Sequence, residues 1–123
     1  MILIDASVWI NHLRAADERL SALLAEDQVL GHPFILGELA LGYLRQRDLI
    51  LRSLQRLPQA AVASDREVLR LIENERLYGR GIGYIDAHLL AAVRLTPEAR
   101  LWTRDEPLQR AAAELSLAAM PPH

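Results

Sequence analysis

The sequence contains no cysteine, and its fourteen basic side chains are all arginines, lysine being absent. Without thiols there is neither a disulfide framework nor a thiolate zinc site, although this leaves the redox compartment open. Against sixteen acidic residues the arginines give a formal net charge of −2, so no global basic field is available to hold nucleic acid. Local arginines can still bind a phosphate backbone over a short footprint. Long apolar runs are missing too, none approaching the ~18 residues needed to cross a bilayer. The opening run from Met1 to Ile4 lacks a basic start, is interrupted by Asp5 and is too short for the apolar segment of a signal peptide. A soluble, cytoplasmic protein with no membrane partner is the expectation. No linker, repeat or low-complexity segment divides the 123 residues, which therefore read as one domain over 1–123. A chain of this size buries roughly two-thirds of its unfolded surface, enough for one core without metal staples.

What is present alternates between short apolar strands and helical patterns. Ile2-Leu3-Ile4 is continuously apolar, as in a strand covered on both faces, and stops at Asp5. Ser7 opens a short helix over 8–14, followed by a helix over 17–25 and a strand over 28–31. Pro33 stands at a favoured first helical position for a helix over 33–44, apolar nearly all round, and an amphipathic helix over 47–57 ends at Pro58. A strand is expected at 60–63. Ser64 and Glu67 have capping-box spacing at the head of a helix over 65–78. The Gly79-Arg80-Gly81-Ile82-Gly83 loop precedes a Leu- and Ala-rich helix over 84–95, then a strand over 100–102, a helix over 105–115 and an edge strand over 116–120. This order predicts an α/β fold with a mainly parallel central sheet. Sites in such sheets gather at the carboxyl ends of the strands.

Four acidic residues stand in apolar sequence or at strand-to-helix junctions, where a solvated charge is not expected. Asp5 follows Ile2-Leu3-Ile4. Glu38 lies within Phe34-Ile35-Leu36-Gly37-Glu38-Leu39-Ala40-Leu41, Asp86 within Ile85-Asp86-Ala87-His88-Leu89-Leu90, and Asp105 closes Leu101-Trp102-Thr103-Arg104-Asp105. Simpler roles exist for each. Asp5 or Asp105 can cap the helix behind it, Asp86 can sit at the positive end of a helix dipole, and Glu38 can pair with a distant arginine. No basic residue lies at pairing distance along the chain from Glu38 or Asp86, however. A cluster of the four around divalent cations accounts for all of them at once. Hard oxygen ligands suit Mg²⁺ or Mn²⁺, and such ions activate water and polarise phosphoryl oxygens, which makes a phosphodiester the natural substrate.

These segments, taken in order, resemble those of the PIN-domain ribonucleases, and among them the VapC-type toxins of bacterial toxin-antitoxin pairs. Ile2-Leu3-Ile4-Asp5-Ala6-Ser7-Val8-Trp9-Ile10 resembles the family's opening strand and first acidic residue. Glu38 stands in its mid-chain helix, residues 79–90 resemble its glycine loop and Tyr-Ile-Asp-Ala-His-Leu-Leu helix, and Leu101-Trp102-Thr103-Arg104-Asp105 resembles its last acidic motif. Ala6 departs from the Thr that many relatives carry, which removes a hydroxyl without touching a carboxylate. The resemblance implies a PIN-like three-layer α/β/α domain in which Asp5, Glu38, Asp86 and Asp105 hold one or two Mg²⁺ or Mn²⁺ ions. Metal-activated water would then cleave RNA. Ser7 and Thr103 would orient the carboxylates or water. It further implies a homodimer and an antitoxin partner, with the helices over 33–57 as candidates for both contacts.

Other chemistry-bearing residues receive weaker readings. His12, His32, His88 and His123 lack ligand spacing. Gly79, Gly81 and Gly83 do not form a dinucleotide fingerprint and instead permit a tight loop between helices. Arg80 and Arg104 flank the proposed site and are candidate RNA contacts, whereas Trp9 and Trp102 read as core. Two other functions compete. In an Asp-based phosphoryl-transfer protein Asp5 would accept the phosphoryl group, but the haloacid-dehalogenase pattern needs an Asp where Ser7 stands, and a receiver needs a lysine. A catalytically silent binding module would keep the fold and have no need of four carboxylates.

Overall fold

A computed structural model describes residues 1–119. Ile2–Ile4 forms β1, the middle strand of a parallel sheet ordered β2-β1-β3, with β2 at Val29–Leu30 and β3 at Arg100–Trp102. Leu3 lies opposite Leu30 on one side and Leu101 on the other. Successive side chains of a strand face opposite ways, and Leu3 and Ile4 are both fully buried, so helices cover the sheet on both faces. The fold is a three-layer α/β/α domain, its parallel sheet as the alternating pattern predicts and its three layers as the family resemblance implies. Its helices are α1 (Ala6–Arg14), α2 (Glu18–Ala25), α3 (Pro33–Ala40), α4 (Arg47–Gln55), α5 (Asp65–Asn74), α6 (Tyr84–Leu95) and α7 (Glu106–Glu114). The most buried is α6, inaccessible from Ala87 to Val93 and packed against α5 and β3. Its small side chains at Ala87, Ala91 and Ala92 allow that close approach.

Several boundaries differ from the sequence reading, each for an identifiable reason. Ser7 lies inside α1, whose N-cap is Asp5. The third helix stops at Ala40 rather than 44, because Arg47 reaches back and donates to the carbonyls of Ala40 (2.6 Å) and Gly42 (3.3 Å). The expected strand over 60–63 does not form: one parallel bridge joins Gly31 to Gln59, closed by Ala60 N–H on Gly31 O at 2.9 Å, and beyond it Ala61 N–H bonds Thr96 Oγ1. Likewise 116–120 contributes one parallel bridge, Leu101 to Ala118, with Met120 and His123 outside the described residues. Helix α5 ends at Asn74 rather than 78, where Arg76 takes a left-handed φ of 54° and Leu77 N–H bonds Ile72 O. That is a Schellman ending. Asp27 and Ser116 close α2 and α7 in the same way, all three without the glycine that would mark such a position in sequence.

His32 caps α3, its Nδ1 accepting Phe34 N–H at 3.0 Å, while its buried Nε2 has no partner. Burial, and secondly the charge of His88, lower the His32 imidazole from 6.5 to about 4. A base depressed in the folded state adds stability above its unfolded value that is lost as pH falls through the folded one. Between pH 6.5 and about 4 the His32 contribution lost is therefore expected to be ~3 kcal/mol. His32→Asn retains a capping acceptor and should flatten this part of the profile. Urea unfolding of both proteins across the window checks it, and parallel profiles would remove His32 as the cause.

Candidate active site

Asp5 follows β1 directly and is only 7% exposed. Although it occupies the N-cap position of α1, its carboxylate makes no capping bond. Instead Oδ2 accepts from Ser7 Oγ (2.8 Å) and Thr103 Oγ1 (2.7 Å). Each hydroxyl is itself fixed by a backbone donor: Arg104 N–H to Ser7 Oγ and Asp105 N–H to Thr103 Oγ1, both at 3.0 Å. These bonds tie the carboxyl ends of the adjacent strands β1 and β3 around one carboxylate oxygen. Among the described residues Oδ1 accepts no hydrogen bond. Ser7 and Thr103 thus both bond the same oxygen of Asp5.

The other three carboxylates are brought to the same end of the sheet by helix starts and by α3. Asp86, in the first turn of α6, accepts Gly83 N–H on Oδ2 at 3.0 Å. Asp105 caps α7, accepting Leu108 N–H on Oδ2 at 3.0 Å, so its capping role is real. Glu38, on α3, makes no ion pair or hydrogen bond among the described residues, and it is exposed rather than sunk in an apolar face. Its proximity to the others shows in its ionisation. The partial shielding of its carboxyl group by neighbouring atoms, then the charges of Asp5 and Asp86, push the Glu38 carboxyl above its usual range. Burial also raises Asp86, opposed by the Gly83 hydrogen bond and reinforced by Asp5 and Asp105.

The donor chemistry suits a hard divalent cation, with carboxylate oxygens throughout and one oxygen uncommitted on each of Asp5, Asp86 and Asp105. Among the described residues no group of three or more His, Asp or Glu side chains is arranged so that it could hold a metal ion. Binding an ion would therefore have to draw them together against their mutual repulsion.

Of the two arginines expected beside the site, Arg104 is exposed there and its backbone braces Ser7. Arg80 differs, since its guanidinium is paired with Glu114 at the end of α7. The glycine loop behaves as a tight connection: Gly79 and Gly81 have φ of 70° and 80°, and Gly81 lies against the Pro107 ring. Trp9 is buried, while Trp102 is half-buried beneath the Arg19 guanidinium, 5.1 Å from its ring centre.

Sequence spacing gives His88 no role, yet the structure buries it at 2% exposure between Phe34 and Tyr84, each ring 4.7 Å away. Its Nε2 lies 3.2 Å from Asp65 Oδ1, which also accepts Tyr84 Oη–H at 2.8 Å. Phe34 is one turn before Glu38, and His88 is two residues after Asp86. The stack thus braces the helices that carry these two carboxylates.

Asp5, Glu38, Asp86 and Asp105 thus lie near one another at the carboxyl end of a parallel α/β sheet. The PIN domain family matches residues 2–114, and the chain belongs to it. The chain is also similar to Ribonuclease VapC32 from two strains of Mycobacterium tuberculosis, CDC 1551 / Oshkosh and H37Rv. Each is 53% identical over 118 residues, covering 96% of this chain and 95% of the relative.

Proposed function

We propose that this chain is a metal-dependent endoribonuclease and the toxin of a toxin-antitoxin pair, acting as one domain over 1–123. The observation that carries the reading is the set of four carboxylates at the end of β1 and β3, in a chain half identical to proteins named as ribonucleases. Asp5, Glu38, Asp86 and Asp105 would hold Mg²⁺ or Mn²⁺. When bound, such an ion favours ionisation of water and offsets charge on phosphoryl oxygens. The chain's own residues do the positioning. Ser7 and Thr103 keep Asp5 Oδ1 turned to the site, Asp105 is held by the α7 amide, and the loop glycines bring Asp86 to the start of α6. Arg104, which is exposed, would meet a backbone phosphate, and Arg80 would have to leave Glu114 to do so. A homodimer and an antitoxin partner are what the family resemblance implies, and a cytoplasmic location is the expectation from the sequence.

The test is cleavage of cellular RNA by the purified chain with Mg²⁺, with Mn²⁺ and with chelator, alongside growth of cells expressing it without an antitoxin. Cleavage confined to the metal-containing reactions, together with growth arrest that Asp86→Asn relieves, is the expected result. Growth unaffected by wild type, with no cleavage in any reaction, would favour the silent binding module.

A further inference from the structure

A groove of about 910 Å³ runs between α1, α3 and the α3–α4 connection, with Glu38 in its wall. The same groove is lined by Arg14 and Arg45, both exposed. Neither guanidinium makes an ion pair or hydrogen bond among the described residues. Tyr43, also in the lining, is 97% exposed, so its ring has almost no contact to recover the cost of standing in water.

The connection that presents Tyr43 and Arg45 is braced rather than loose. Arg47 holds the carbonyls on either side of Leu41, and Gln46 turns the chain into α4 with a left-handed φ of 53°. The chain carries a net negative charge and its site is acidic, so a polyanion reaching that site needs local cations and cannot rely on a general field. Guanidinium groups bind phosphate oxygens in bidentate fashion. A planar exposed ring offers a face on which any nucleobase can stack.

We propose that this groove is the seat of the single-stranded RNA flanking the scissile bond, with Arg14 and Arg45 on backbone phosphates and Tyr43 stacked on a base. The proposal rests on the ribonuclease reading and adds the residues that hold its substrate. The apolar part of the lining, Ile10, Leu13, Leu39, Leu44 and Ile50, is the feature that a protein segment would use instead. Charge decides for RNA, because two unpaired guanidiniums and one exposed ring match a phosphate–base repeat.

The test measures fluorescence anisotropy of a labelled, mixed-sequence single-stranded RNA over a range of salt concentrations. It uses an Asp5→Asn background so that the probe is not consumed. Arg14→Gln and Arg45→Gln should each reduce the log–log salt slope by about 0.7, the value for one phosphate contact on a single strand. Tyr43→Ala should weaken binding about tenfold at unchanged slope, and Tyr43→Phe should restore it. The three side chains varied in this background, Arg14, Tyr43 and Arg45, are on the surface, and unchanged melting curves would show that the fold is intact. Slopes and affinities equal to those of the parent would overturn the assignment and leave the groove to a protein partner. Cleavage by the wild-type chain, run in parallel, separates that result from failure of the ribonuclease reading itself.

Discussion

Asp5→Asn is expected to lower RNA cleavage by more than about a hundredfold while leaving the fold intact. The reason lies in the hydroxyl protons of Ser7 and Thr103. Each hydroxyl accepts from a backbone amide, Arg104 or Asp105, and donates its single proton to Asp5 Oδ2. In the variant, the side-chain oxygen must take the place of Oδ2 to receive both protons. The amide NH₂ then faces the site, presenting donors where a cation needs an acceptor. Thr103→Val gives a graded companion. It removes one of the two protons and strands the Asp105 amide, for an expected loss of about ten- to a hundredfold. Single-turnover cleavage with Mn²⁺, with circular dichroism as the fold control, measures both. Wild-type rates in Thr103→Val would show that the hydroxyl does not orient Asp5.

The second large effect concerns stability. Adding Mg²⁺ or Mn²⁺ to the chelated protein at neutral pH should raise its Tm by several degrees. At a hundredfold excess over Kd, binding to the folded state alone contributes about 2.7 kcal/mol. The repulsion that the ion relieves is already visible in Asp86 and Glu38, both raised by shielding of the carboxyl group first and by neighbouring carboxylates second. An acid raised in the folded state binds more protons folded than unfolded between its two values, so its effect on stability worsens as pH climbs through that window and is full above it. Asp86→Asn should therefore melt higher than wild type in chelator. Its carbonyl can still accept Gly83 N–H, and the charge is gone. The metal-induced rise should in turn be smaller in the variant and smaller for wild type at acid pH. Thermal melts with and without chelator at several pH values check this, and an equal metal response in both proteins would place the ion elsewhere.

Much of this arrangement is legible in the sequence because it depends on local regularities. A continuous apolar triplet such as Ile2-Leu3-Ile4 has little choice but a doubly covered strand. Pro33, and Ser64 with Glu67, mark helix starts through backbone chemistry that acts within one turn. Helix ends were harder to place. Three close through left-handed Asp27, Arg76 and Ser116, where no glycine gives warning. The strand expected at 60–63 is replaced by a single bridge at Gln59, and among the described residues the one expected at 116–120 is a single bridge at Ala118.

The residue types alone determined that the sheet would be parallel and buried, and marked Glu38 and Asp86 as carboxylates with no cation at pairing distance along the chain. Only the tertiary structure decided how they are held. The hydroxyls on Asp5 arrive from positions 7 and 103, tied together because β1 and β3 are neighbours in the sheet. The engagement of Arg80 by Glu114, the stacking of Phe34 on His88, and the exposure of Arg14, Arg45 and Tyr43 were settled in the same way. Each depends on contact between segments distant in sequence, and neither periodicity nor spacing along the chain carries that information.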